Sequence, residues 1–241
     1  MPRLDALLAL NLACSKTKAR DVIAAGRVRA SDGAPLADPR LEVPPASLPF
    51  AVAVDDEPLA LVAVAHVLQN KPTGCVTALD DARHPTAYAL LRDAPLFGEL
   101  RAVGRLDLDT SGLLIWTTEG TWLQRLTHPK RAVPRTYHAA LARPFQPPPA
   151  AGLTLEDGHR PTITALAPIP AGDAHPWLRA PDEAGAFATI TVVGGAYHEV
   201  RRIFAALDSH VLALCRVAFG RLALPPELPP GGWRAIDPGD V

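Results

Sequence analysis

Gly104-Arg105-Leu106-Asp107-Leu108-Asp109-Thr110-Ser111-Gly112-Leu113-Leu114-Ile115 sets two carboxylates, an arginine and two hydroxyls between glycines, then runs straight into an apolar strand. Glycine permits tight turns and close backbone approach, and a strand entered abruptly anchors the loop before it. Such a loop can hold a carboxylate rigidly, with arginine keeping it ionised. Two other readings compete. Asp107 and Asp109 have the spacing of a D-x-D metal site, but Gly104 and Arg105 interrupt the apolar approach and Ser111 stands where Thr or Val is wanted. Alternatively, Asp109-Thr110-Ser111 simply caps a hairpin turn.

Outward from this segment, strand-like stretches lie at Thr136 to Leu141, Thr162 to Ala167, Phe187 to Val193 and Val217 to Leu224. A helix is expected from His198 to Leu207, and His84-Pro85-Thr86 is expected to cap another through Leu91. A β-rich apolar run, Leu61 to Leu68, precedes the turn Asn70-Lys71-Pro72-Thr73-Gly74. Strands outnumber helices without alternating with them, so the expected class is α+β with a mixed, mostly antiparallel sheet.

The N-terminal part reads differently. Leu4, Leu7 and Leu8 follow helical spacing. Ser15 is a good N-cap for a second helix, Lys16 to Ala25, ended by Gly26. Arg27 to Ala30 alternates like a strand. The proline-rich stretch from Val43 to Phe50 reads as a stiff connector. The expected division is a small module at 1–45, a linker at 46–57 and a larger domain at 58–241.

The 241 residues include 24 Lys+Arg and 25 Asp+Glu, a formal charge of −1, which argues against a histone-like binder of nucleic acid. The total conceals a pattern. Residues 1–30 carry six basic and two acidic groups, 101–143 seven and three, and 194–221 four and two, while the stretches between are acidic. Gathered on one face, these blocks would attract phosphate. Three scattered cysteines, at 14, 75 and 215, fit neither a disulfide framework nor a zinc site and point to a reducing, cytoplasmic setting. The N-terminus lacks the pattern of a signal peptide, and the longest apolar stretch is about half of the ~20 residues a membrane span needs. Arginine outnumbers lysine 20 to 4, as expected of a GC-rich, bacterial genome.

Several segments together carry a family resemblance. Gly-Arg-Leu-Asp-x-x-Thr-Ser-Gly-Leu-Leu, from Gly104, with Thr118-Glu119-Gly120 after it, resembles the catalytic motif of pseudouridine synthases of the RsuA/RluB type. Asn70-Lys71-Pro72-x-Gly74 resembles the family's opening turn, and Arg135-Thr136-Tyr137 its Lys-x-Tyr element. Leu155-Glu156-Asp157-Gly158 resembles its acidic turn, and Tyr197-His198-Glu199-Val200-Arg201-Arg202 its third motif, with Gly220-Arg221 following. Arg3-Leu4-Asp5, the Ser15 to Arg20 run and Ile23-x-x-Gly26-Arg27-Val28 resemble an S4 RNA-binding domain. His84-Pro85-Thr86 and Tyr197-His198 point to the small-subunit (RsuA-like) branch.

The resemblance implies an enzyme that isomerises a uridine within ribosomal RNA, in 16S rRNA by the branch assignment. It breaks the N1–C1′ bond, turns the uracil and rejoins it through C5, and needs neither cofactor nor metal. Asp107 would be the essential carboxylate, attacking C1′ or taking a ribose proton. Arg201 would pair with Asp107, and Tyr137 would stack on the flipped base near C5. Arg105 would fill the gap the base leaves. Lys16, Lys18, Arg20, Arg27, Lys71 and Arg202 would contact RNA, Asp109 would be structural, and His198 receives no role. The implied partner is ribosomal RNA, within a partly assembled subunit or free; the protein is expected to be a monomer and to bind no membrane. Three departures bear on substrate choice: Glu199 in place of Gln, Gly194-Gly195-Ala196 in place of a charged run, and Arg135 in place of Lys. The remaining alternatives are action on 23S rRNA and a non-catalytic S4-type RNA-binding protein.

Overall fold

The computed structural model describes residues 1–241. It divides into two compact units, Met1–Ala65 with Asp93–Leu100, and His66–Arg92 with Arg101–Val241.

The first unit opens with α1 (Leu4–Asn11) and α2 (Lys16–Ala24). The Ser15 hydroxyl caps α2 by accepting the Lys18 N–H at 3.2 Å. Three short antiparallel strands follow, β1 (Val28–Ala30), β2 (Phe50–Val54) and β3 (Glu57–Leu61), in that spatial order. Leu4, Leu7 and Leu8 of α1 and Ala19, Val22 and Ile23 of α2 pack on Val28, Val52 and Leu61. Burying each of the larger side chains contributes about 1.5–3 kcal/mol, which is how two short helices persist.

Here the structure corrects the expected boundaries. Residues 46–57 are not a linker: they contain β2 and the turn into β3. Asp55 and Asp56 have φ of 52° and 67° and close a two-residue loop in which Val54 faces Glu57. That is the primed turn that matches strand twist, and aspartate tolerates it. The prolines that suggested a connector, Pro44, Pro45 and Pro49, stand just ahead of the hairpin. The first unit's N-terminal segment thus runs to Ala65, not 45. The apolar run at 61–68 is likewise two strands, β3 ending at Leu61 and the next beginning at His66.

The second unit contains β4 (His66–Lys71), β5 (Arg101–Ala102), β6 (Thr110–Thr117), α3 (Gly120–Thr127), β7 (Pro134–Leu141), β8 (Thr162–Pro168) and β9 (Ala186–Val193). After these come α4 (Glu199–Ala206), β10 (Val211–Phe219), β11 (Leu222–Ala223) and β12 (Trp233–Ala235). One sheet runs β12-β4-β6-β10-β7-β9-β8, with β5 beside β6 and β11 beside β10. β6 and β10 are parallel, and every other pairing in the sheet is antiparallel. The expected α+β class with a mixed, mostly antiparallel sheet holds.

β6 is buried along its whole length, as its unbroken Leu-Leu-Ile-Trp run requires. Leu113 and Ile115 join Leu68, Ala140, Cys215 and Phe219 in the core, capped by Trp122 and Leu126 of α3 at i, i+4 spacing. Gly112 is obligatory for the β6–β10 contact. It pairs with Arg216 at a φ of +104°, and a Cβ there would lie 2.3 Å from the Arg216 carbonyl oxygen. The helix expected after His84 is a single 3-10 turn, Tyr88–Leu91, with Thr86 accepting the Ala89 N–H at 3.1 Å. No helix is long and apolar enough to cross a membrane.

Candidate active site

The loop before β6 is pinned through its backbone. Thr77 accepts the Leu106 N–H at 3.1 Å and donates back to the Leu106 carbonyl at 2.9 Å. The Gly74 N–H reaches the Leu108 carbonyl at 2.8 Å. Lys71, at the end of β4, is fully buried, and its ammonium donates to the carbonyls of Pro72 (3.0 Å), Asp107 (2.9 Å) and Thr110 (2.8 Å). Burial lowers its pKa, opposed by the nearby Cys75, Asp107 and Asp109. Lys71 is therefore no RNA contact: with no exposed surface, it fastens the loop from behind.

Held this way, the Asp107 side chain stays 36 % exposed at the mouth of a cavity of about 150 Å³. Tyr137 lines the same cavity from β7, 8 % exposed, opposite Arg216 of β10. Arg105 is exposed and also lines it, as do Arg135, Gly194, Gly195, His198 and Arg201. Asp107, Tyr137 and Arg201, far apart in sequence, thus converge on one cavity.

One pairing differs from expectation. Arg201 does not bind Asp107: its Nη2 lies 2.9 Å from Asp109 Oδ2 and also donates to the Asp109 carbonyl at 3.4 Å, and its Nη1 reaches the Val211 carbonyl at 3.3 Å. The group facing Asp107 is His198, with Nε2 3.7 Å from Oδ1. His198 is the N-cap of α4 at a φ of 49°, its ring stacked at 3.8 Å on the exposed Tyr197. Two aspartates separated by one residue offer Arg201 equivalent partners in sequence; strand geometry turns Asp109 toward α4.

Glu199, which sequence set near Arg201, is 5 % exposed and meets His159 instead, Oε1 to Nε2 at 2.8 Å. It lies against Gly194, where a Cβ would approach Oε1 to 3.0 Å. Arg216, not singled out from sequence, is 1 % exposed and donates from Nε to the Leu113 carbonyl at 2.7 Å. Its signal was the Cys-Arg-Val run inside an apolar strand, where a charge has no reason to be buried without a task.

The remaining basic residues divide. Lys16 and Lys18 are exposed on α2. Arg20 is tied to the buried Asp5 at 2.8 Å, Arg27 to Asp55 through a fork of two bonds, and Arg202 to Asp157 in the acidic turn. These three arginines have carboxylate partners within the chain, and Arg20 and Arg27 remain about half exposed.

A long sheet with one parallel pair carries a carboxylate on a pinned loop beside a cavity lined by a tyrosine and several arginines, the layout of an enzyme active site. Residues 65–206 match the family model for RNA pseudouridylate synthase, and the chain belongs to that family. It is 32 % identical to the ribosomal small subunit pseudouridine synthase A of Escherichia coli (strain K12), over 99 % of this chain and 98 % of that protein. The enzyme of the same name from Haemophilus influenzae is 34 % identical over 73 % of this chain and 72 % of its own. A crystal structure of a pseudouridylate synthase matches with a TM-score of 0.61 and 29 % identity, covering all of this chain and 98 % of that one.

Proposed function

We propose that this chain converts one uridine of small-subunit ribosomal RNA to pseudouridine, with Asp107 as the reacting carboxylate. The observation that carries this is the convergence of Asp107, Tyr137 and Arg201 on one cavity, reached from three separate elements. The relatives described above act, by name, on the small ribosomal subunit.

The uridine leaves its stack and its uracil enters the cavity, Arg105 at the rim taking the space left in the RNA. Asp107 acts as an anion, attacking C1′ or removing a ribose proton while the N1–C1′ bond breaks. His198 stands beside that carboxylate, Nε2 3.7 Å from Oδ1. Tyr137 offers a ring for stacking and a hydroxyl for the proton on C5 after the new bond forms. Arg201 and Asp109 brace the loop against α4. The first unit serves as an S4-type RNA-binding module, its α2 presenting Lys16 and Lys18 to the phosphate backbone. The enzyme works as a monomer in the cytoplasm, on rRNA free or in a partly assembled subunit.

Tritium release from ribosomal RNA labelled at uridine C5 tests the chemistry. The wild type releases tritium; Asp107→Asn, which keeps the shape and loses the charge, releases none. RNA binding without release by the wild type would leave a non-catalytic RNA-binding protein. Mapping pseudouridine in 16S and 23S rRNA with and without the gene tests the substrate, and a site lost in 23S alone would overturn the small-subunit assignment.

A further inference from the structure

Arg135 forms no ion pair with a carboxylate, although Glu199 lies near enough to act on it through charge and keeps one buried oxygen, Oε2, without a hydrogen-bond partner. Asp109 holds Arg201, Asp157 holds Arg202, Glu199 holds His159 and Asp107 faces His198. Arg135 stands on β7 two residues before Tyr137, so the two share a face of the sheet. Its guanidinium is kept in place by stacking, 5.2 Å from the Phe219 ring centre. Arg216 lies 5.4 Å from the same ring, and its buried Nη2 has no hydrogen-bond partner. Two guanidinium groups thus lie within stacking distance of one ring, and neither forms an ion pair with a carboxylate. Burial, chiefly, and the charge of Arg216 lower the pKa of Arg135, partly offset by Tyr137 and Glu199. A bound anion would relieve both effects.

Position says which anion. Arg135 lines the cavity of Asp107 and Tyr137, and equally a second cavity of about 280 Å³ bounded by Thr127, His128, Pro129 and the Gly194–Ala196 turn. It stands where the two meet. A Cβ at Gly195 would lie 3.7 Å from Arg135 Nη1, so glycine there leaves that flank of the guanidinium uncovered. The stretch Gly194-Gly195-Ala196 carries no charge of its own, and Arg135 is the cation beside it. Lys130 and Arg131 are exposed in the short turn that follows His128.

We infer that Arg135 binds a phosphate flanking the target uridine, and that the adjoining nucleotide lies in the second cavity. This rests on the assignment of the first cavity to the flipped uracil. Guanidinium matches phosphate in a bidentate fork, and the nearby Arg216 charge strengthens the site from a distance.

The test uses the full chain and a 16S rRNA fragment containing the mapped uridine. Methylphosphonate replaces, one at a time, the linkages on either side of it, removing one charge each. Arg135→Met is expected to weaken binding about tenfold, the worth of one charged hydrogen-bonded contact. The slope of log affinity against log salt should fall by roughly 0.7–0.9, the signature of one lost phosphate contact. On RNA carrying methylphosphonate at one of the two linkages, wild type and Arg135→Met should bind alike. Arg135→Lys should recover the salt slope but only part of the affinity. Equal weakening on every RNA, or no change in slope, overturns the proposal. Should Arg135→Met melt early, the wild type alone decides: full affinity for both neutral-linkage RNAs also overturns it. Failure of the enzymatic assignment looks different, since the wild type would then form no pseudouridine; failure of this inference leaves its activity intact.

Discussion

Replacing Lys71 by methionine keeps an unbranched chain of similar bulk and removes the ammonium that holds the carbonyls of Pro72, Asp107 and Thr110. A hydrogen bond to a charged group contributes about 1.5–3 kcal/mol net, so three bonds represent roughly 4.5–9 kcal/mol. Against this stands the several kcal/mol required to bury an ammonium, which the variant no longer bears. The difference leaves a destabilisation of about 3 kcal/mol, in the upper range for a single substitution. For a unit of this size that lowers the melting midpoint by about 6–12 °C, read by circular dichroism. Turnover should fall at least tenfold, because the Asp107 backbone loses its anchor and small displacements of a reacting group are costly. KM should hardly move, since Lys71 has no surface to offer RNA. The contrary result, an unchanged midpoint with a raised KM, would mean that Lys71 works at the RNA surface and that the loop is held by other means.

Asp109→Asn weakens the hold on Arg201 without touching Asp107. Stability should change by less than about 1 kcal/mol, because Asp109 is largely exposed, while kcat falls about tenfold; parallel melting and tritium-release assays check the pair. The thiols make a separate test. Burial pushes Cys215 up to about 11 and raises Cys75, whereas Cys14 is partly exposed. At neutral pH a thiol reagent should therefore modify one cysteine of the native protein and three after unfolding in guanidinium. Rapid reaction of all three would show that the second unit opens readily.

What the sequence revealed followed from how local the signal was. Leu-Leu-Ile-Trp in β6, Ser15 before α2 and the helix after His198 are written in consecutive residues, and each lies where it was expected. The β2–β3 hairpin was hidden because prolines just upstream drew attention from the Asp55-Asp56 turn. Asp107, Tyr137 and Arg201 were legible as a set, and they do share a cavity. The partners were not. Whether Arg201 meets Asp107 or Asp109, whether Lys71 points to solvent or to the loop, and whether Glu199 meets an arginine or His159 depend on which strands adjoin. Long-range pairing decides such contacts, and no window of sequence contains it.

The parallel pairing of β6 with β10 has a consequence in time. Thr110 lies opposite Leu214, so the strand that carries the reactive loop waits for a neighbour made about 100 residues later. At ribosomal speed this is roughly 5–20 s of synthesis. Arg216, the Val211 carbonyl that receives Arg201, and the helix that carries His198 all arrive within that interval. Until then the carboxylate sits on a loop leading into a strand with one flank open and no defined cavity. The nascent chain becomes competent only once β10 has emerged from the ribosome, so catalytic geometry is acquired well after the loop that carries Asp107 has been made.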